Sequence, residues 1–65
     1  SVVVRGDPAT RSFAVFYLVG ERLLAVDAIN RPAEFIAART LIPRRAAVDT
    51  TRLADDAVPV KDLLA

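Results

Sequence analysis

Apolar positions crowd together between Ser12 and Phe35, SFAVFYLVGERLLAVDAINRPAEF. Phe13 to Val19 is almost unbroken aromatic and β-branched sequence, which suits a pleated, buried surface. Arg22 to Ile29 is a second run of similar length, and only Gly20-Glu21 separates the two. Gly as the first of two loop residues predicts a type II′ hairpin turn, and so short a loop fixes the register. Val19, Tyr17, Val15 and Phe13 then face Arg22, Leu24, Val26 and Ala28. On the other side Leu18, Phe16 and Ala14 face Leu23, Ala25 and Asp27, with Ile29 next along that row. Both faces are apolar, whereas one face of a small antiparallel sheet normally meets water. Something has to cover both.

Around the hairpin the pattern is weaker. Val2-Val3-Val4-Arg5 reads as a short strand, stopped by the turn chemistry of Gly6-Asp7-Pro8. Arg5-Gly6-Asp7 spells an integrin-binding tripeptide, but a turn between strands accounts for it, and an adhesion role wants a disulfide-rich secreted setting. After the hairpin, Asn30 is placed to cap a helix and Pro32 to open its first turn, where Glu34 complements the helix dipole. At about 100° per residue Phe35, Ala38, Leu41 and Ile42 share an arc that would cover one face of the hairpin, and Pro43 should end the helix. Asp49 predicts an N-cap for a short helix over Thr50 to Ala54, ended by Asp55-Asp56. Val58-Pro59 leads into a last helical turn from which Leu63 and Leu64 pack back. The fold class is α+β: three short antiparallel strands, one main helix and two weak helical turns.

Composition sharpens the problem of cover. Sixty-five residues make one domain, and a chain of this size buries only about 60% of its unfolded surface. Disulfides or a metal usually compensate, yet there is no cysteine and no histidine. More than half of the residues are apolar. The chain is therefore expected to be part of a larger protein, or a subunit that buries much of itself against a partner. The same absences leave no zinc or iron–sulfur ligation, no cysteine nucleophile and no Ser-His-Asp triad. Gly6 and Gly20 are too far apart for a phosphate loop, no apolar run spans a membrane, and a net charge of +1 does not point to nucleic acid. A cytoplasmic location is compatible with the lack of cysteine.

Charge is uneven even so. Arg31 to Arg45 carries four arginines against one glutamate, which can steer an acidic partner or equally be a solvated helix end whose cations favour the negative pole of the dipole.

The segments VVVRGDPATRSFAVFYLVGERLLAVDAINRPAEF and VPVKDLL resemble the C-terminal domain of the bacterial FAD-dependent ferredoxin reductases, the putidaredoxin-reductase-like group. Phe16-Tyr17 before the Gly20 turn, Val26-Asp27, Asn30-Arg31-Pro32 with Glu34-Phe35, and Val58-Pro59-Val60-Lys61 carry the likeness over nearly the whole chain. The resemblance implies the last domain of a glutathione-reductase-like flavoprotein that binds FAD and NAD(P)H in two Rossmann-like domains. Such enzymes pass electrons to a two-iron two-sulfur ferredoxin serving a dioxygenase or haem monooxygenase. Relatives carry a tryptophan-containing segment near the flavin and a further strand ahead of the position of Ser1. This sequence has no Trp, so residues 1–65 read as a domain truncated on its N-terminal side, with at least one strand more in the parent. Alone it should bind neither FAD nor NAD(P)H, supply no catalytic side chain and reduce no acceptor.

The resemblance also implies a docking role against the acidic ferredoxin. Arg39 stands where relatives place a basic residue on the helix, and Lys61 matches the lysine of the V-P-x-K segment. Ile36, the neighbour of Arg39 on the helix surface, stands where relatives can carry a polar residue, and Arg44 and Arg45 are long-range steering charges. The parent's FAD domain is the other expected partner, and the separated chain should self-associate through its uncovered apolar face. A stand-alone interaction or dimerisation module, or the equivalent domain of a rubredoxin or nitrite reductase, are the alternative readings.

Overall fold

A computed structural model describes residues 1–63; the expectation for Leu64 lies outside them. Strands β1 (Val2–Asp7), β2 (Ser12–Val19) and β3 (Arg22–Ile29) form one antiparallel sheet in the order β1-β2-β3. Helix α1 (Pro32–Arg44) follows, then the short helix α2 (Thr50–Ala54) and a final 3₁₀ turn, η2 (Val60–Asp62). A further 3₁₀ turn, Pro8–Thr10, joins β1 to β2. Among the described residues no helix is long and apolar enough to cross a membrane. The α+β expectation stands, with the principal helix and the weak C-terminal turns where the sequence places them.

The hairpin turns at Gly20-Glu21, and of the two only Gly20 takes positive φ, as a type II′ turn requires. Its register holds for two pairs, Val19 opposite Arg22 and Leu18 opposite Leu23, and then shifts by one residue at a β-bulge. Beyond it Tyr17 pairs with Ala25, Phe16 with Val26, Val15 with Asp27, Ala14 with Ala28 and Phe13 with Ile29. The expected pairing of Tyr17 with Leu24 and Ala14 with Asp27 is thereby corrected. The physical reason is the side-chain alternation of a strand: one extra residue reverses which face each later side chain meets. The bulge takes Asp27 out of the core row and puts Val26 and Ala28 there. Asp27 then lies on the outer face, where Tyr17 donates a 2.8 Å hydrogen bond to its carboxylate. That bond holds the Tyr17 hydroxyl above its ordinary pKa, the adjacent negative charge adding to the effect.

The core lies on the inner face. Ala14, Phe16, Leu18 and Leu23 from the sheet meet Ala38 of α1, Val48, Leu53 of α2 and Leu63, all buried. The predicted helix arc is rotated. Phe35 is exposed and Glu34 is buried, so the covering stripe is Glu34, Ala38, Leu41 and Ile42. A buried guanidinium beneath Glu34 explains the rotation, because an arginine in the interior requires a carboxylate. Asn30 is not the helix cap: it sits at φ 54 and donates through its side chain to the Arg11 carbonyl at 2.8 Å, leaving Arg31 at the cap position. Pro43 lies within α1, which closes two residues later where Arg45 adopts φ 53 and its N–H reaches the Ile42 carbonyl. At α2 the expectation holds: Asp49 accepts from the Thr51 and Arg52 amides, and the helix stops at Ala54. The segment before it also extends the sheet, since Ala47 bridges Arg22 and the Val48 amide donates to the Glu21 carbonyl.

Candidate functional site

Two groups of charged side chains divide the molecule, one buried and one exposed. The buried group centres on Arg5, which is 2% exposed. Alternation along β1 points Arg5 inward opposite Ala14, into the gap between α1 and the α2–η2 connection. Its Nε donates to Glu34 Oε2 at 3.1 Å. Nη1 donates to the carbonyls of Arg52, Leu53 and Asp55 at 3.2, 3.3 and 2.7 Å, and Nη2 to the carbonyl of Val58. One guanidinium thus satisfies the orphan carbonyls at the end of α2 and ties them to β1.

Glu34 is shared. Arg31 Nη1 lies 3.0 Å from the same Oε2, and Arg31 also forms a forked pair with Asp56 at 2.5 and 2.8 Å. The hydrogen bonds to Asp56 hold the Arg31 guanidinium protonated more firmly than usual, against a partial loss of hydration, and Glu34 adds to this. In return they hold the Asp56 carboxyl below its ordinary range. Gly6 makes room for this arrangement. It has φ +90, and a Cβ there would lie 2.5 Å from Arg31 Nη2 and 2.6 Å from the Ser12 carbonyl oxygen. Arg5-Gly6-Asp7 is accordingly no recognition loop: Arg5 is sealed in the core, Gly6 lies within β1, and Asp7 caps the following turn by accepting from the Ala9 amide.

Sequence reasoning missed this cluster. Arg5 read as a strand end, Glu34 as a dipole partner and Arg31 as part of a surface patch. The available signal was the placement of Arg5 on the inward row of β1, the row of Val3.

The exposed group is made of cations. Arg39, Arg44, Arg45 and Lys61 are exposed, and none of them forms an ion pair among the described residues. Of the carboxylates, Asp7, Asp49 and Asp55 accept from backbone amides, Asp27 accepts from Tyr17, and Glu34 and Asp56 serve Arg5 and Arg31. None of these carboxylates pairs with Arg39, Arg44, Arg45 or Lys61 among the described residues, so a net charge of +1 conceals a positive flank.

Arg39 lies on the outer side of α1 with its guanidinium 6.0 Å from the centre of the Phe35 ring, the limit for a cation–π contact. Ile36 stands exposed one turn earlier. Lys61, in η2, borders an apolar groove with Ala37, Thr40, Leu41, Val60 and Leu63, which places it beside α1 at Thr40, the residue after Arg39. Arg45 is set apart, in a groove of about 340 Å³ at the far end of α1 that it shares with Arg22, Leu23, Leu24, Ile42 and Pro43. Among the described residues no cluster of acidic side chains is placed to hold a metal ion. The arrangement can attract and orient an acidic surface.

Comparison with known proteins gives this geometry a context. The chain is 45% identical over 64 residues to putidaredoxin reductase CamA from Pseudomonas putida, covering 98% of the chain and 15% of that protein. It is 48% identical over 63 residues to the ferredoxin reductase subunit of a 5,5'-dehydrodivanillate O-demethylase from a Sphingobium species, covering 97% of the chain and 15% of the relative. It is also 45% identical over 65 residues to the ferredoxin–NAD(+) reductase component of an anthranilate 1,2-dioxygenase system from Burkholderia cepacia, covering 98% and 16%. The chain therefore spans about 15% of the length of these relatives. The family model described as reductase C-terminal matches residues 1–64, and the chain belongs to that family.

Proposed function

We propose that this chain is the C-terminal part of an FAD-dependent NAD(P)H:ferredoxin oxidoreductase that works in the cytoplasm. Its role is to pack against the FAD domain and to offer an acidic two-iron two-sulfur ferredoxin a basic surface. The observation that carries the reading is the group of cations on α1 and η2 that have no carboxylate partner among the described residues, in a chain whose relatives are named as ferredoxin reductases. Flavin and nicotinamide would supply the redox chemistry from outside these 65 residues. Arg39 and Lys61 would make the near contacts, Ile36 an apolar contact between them, and Arg44 and Arg45 would act at longer range.

Charge reversal tests it. In the full reductase, Arg39→Glu and Lys61→Glu should slow ferredoxin reduction by roughly tenfold at low ionic strength, an effect that shrinks as salt screens the charges. Reduction of the flavin by NAD(P)H should keep its rate. Stopped-flow traces of the two half-reactions measure both, and an unchanged ferredoxin step at low salt would defeat the docking role.

A further inference from the structure

The groove at the far end of α1 joins two kinds of lining. Leu23, Leu24, Ile42 and Pro43 make it apolar, and its charged members are Arg22 and Arg45. Both arginines are exposed, and neither forms an ion pair among the described residues. Glu21, the carboxylate next to Arg22 in sequence, also forms no ion pair among the described residues. The backbone holds the two sides in place: Ala47 bridges Arg22, and the Val48 amide donates to the Glu21 carbonyl at 2.8 Å. Arg45 stands two residues from that bridge, so the Cα atoms of Arg22 and Arg45 are at most ~13 Å apart. At about 340 Å³ the groove reaches the lower end of the range of roughly 300–1,000 Å³ for small-molecule sites. The grooves beside Lys61 and Phe35, at about 220 and 270 Å³, fall below it.

We infer that this groove binds a small aromatic carboxylate, a single flat ring carrying an acid group. The lining selects that chemistry. A carboxylate is the planar anion that a guanidinium holds through two parallel hydrogen bonds. Arginine also stacks on ring faces, so a ring acid engages both side chains where an aliphatic acid engages one. The ring takes Leu24, Ile42 and Pro43 out of water, which phosphate, polar on all sides, cannot do. The C-terminal pole of α1 opposes an anion here with about half a charge. Two full cations in the groove outweigh it, Arg44 in the last turn offsets it further, and the Ile42 carbonyl already accepts from the Arg45 amide. The inference goes beyond ferredoxin docking and does not depend on the roles of Arg39 and Lys61.

Methyl NMR of the full reductase, labelled at isoleucine and leucine methyls and titrated with benzoate, tests it. The ring current of bound benzoate should move the Leu24 and Ile42 resonances, saturating with a dissociation constant on the order of 1 mM, as suits so small a ligand. Ile36, exposed on α1 but outside the groove, is the internal standard and should stay in place. Arg22→Gln and Arg45→Gln should each weaken binding by roughly tenfold, the loss of a charge-assisted partner. Each removes an exposed side chain with no ion pair, so the spectra without benzoate should match the wild type. Acetate and inorganic phosphate, which lack the ring, should bind roughly tenfold more weakly than benzoate. Leu24 and Ile42 resonances that do not move, phosphate binding as tight as benzoate, or undiminished affinity in both arginine variants overturns the inference. Ferredoxin docking is read from the reduction rates of the Arg39 and Lys61 variants, so the failure of one reading is distinct from the failure of the other.

Discussion

Arg5 and Arg39 are the same side chain in opposite situations. Arg5 lies in the core with a carboxylate and four backbone carbonyls as partners, whereas Arg39 lies on α1 with only the edge of a cation–π contact. Sequence neighbours do not explain the difference, since both sit among apolar residues, in VVVRGD and FIAART. The direction of the side chain does: the alternation of β1 turns Arg5 toward the interior, and the helical repeat turns Arg39 away from it. The consequence is a division of labour. Buried Arg5 and Glu34 are fully partnered and fix how α2 and the segment after it sit on the sheet, while Arg39, Arg44, Arg45 and Lys61 have no ion-pair partner among the described residues and are available to another molecule.

Cutting the interior group should have the largest effect. Glu34→Gln leaves Arg5 and Arg31 around a neutral amide, and loss of one partner from a buried ion pair costs about 3–5 kcal/mol. A domain this small has about that much stability in all, so chemical denaturation of the variant should show little folded protein. Gly6→Ala attacks the same group from its backbone, forcing a residue with a Cβ into φ +90 and against Arg31. A loss of about 1–3 kcal/mol is expected, measured as a lower denaturation midpoint. If Gly6→Ala were neutral, the crossing of Arg31 over β1 would not be a structural requirement.

The exterior group should behave differently. Arg39→Glu should shift stability by no more than about 0.5 kcal/mol, as a surface change with no partner to lose. A large drop in its melting temperature would erase the contrast with Arg5. Acid sharpens it further. Because Asp56 has a lowered pKa in the folded state, the stability it contributes is present above the unfolded carboxylate value of about 4 and is lost as pH falls through the folded one. Melting temperatures measured from pH 5 downward should fall more steeply for the wild type than for Asp56→Asn. The smallest effect belongs to Tyr17. Its raised pKa means that its contribution is present below the ordinary value of about 10 and is lost above it, a loss that Tyr17→Phe should not show in an alkaline melting series.

Much of this chain is decided locally. Two largely apolar eight-residue runs on either side of Gly20-Glu21 specify a hairpin from adjacent sequence, because only glycine takes the first position of its turn cheaply. Asp49 caps α2 through amides two and three residues away, and Pro32 opens α1, so both helices can be read from short segments. Three features cannot. The bulge between Leu18 and Tyr17 lies within the hairpin, whereas the rotation of α1 that buries Glu34 in place of Phe35 and the conversion of Arg5 from a strand end into the centre of the core depend on residues 29 to 53 positions apart. Local propensity treats one register of β3, or one rotation of an amphipathic helix, as nearly equal to the next. The tertiary structure distinguishes them, because burying one guanidinium obliges the chain to bring a carboxylate and a set of unpaired carbonyls to the same point.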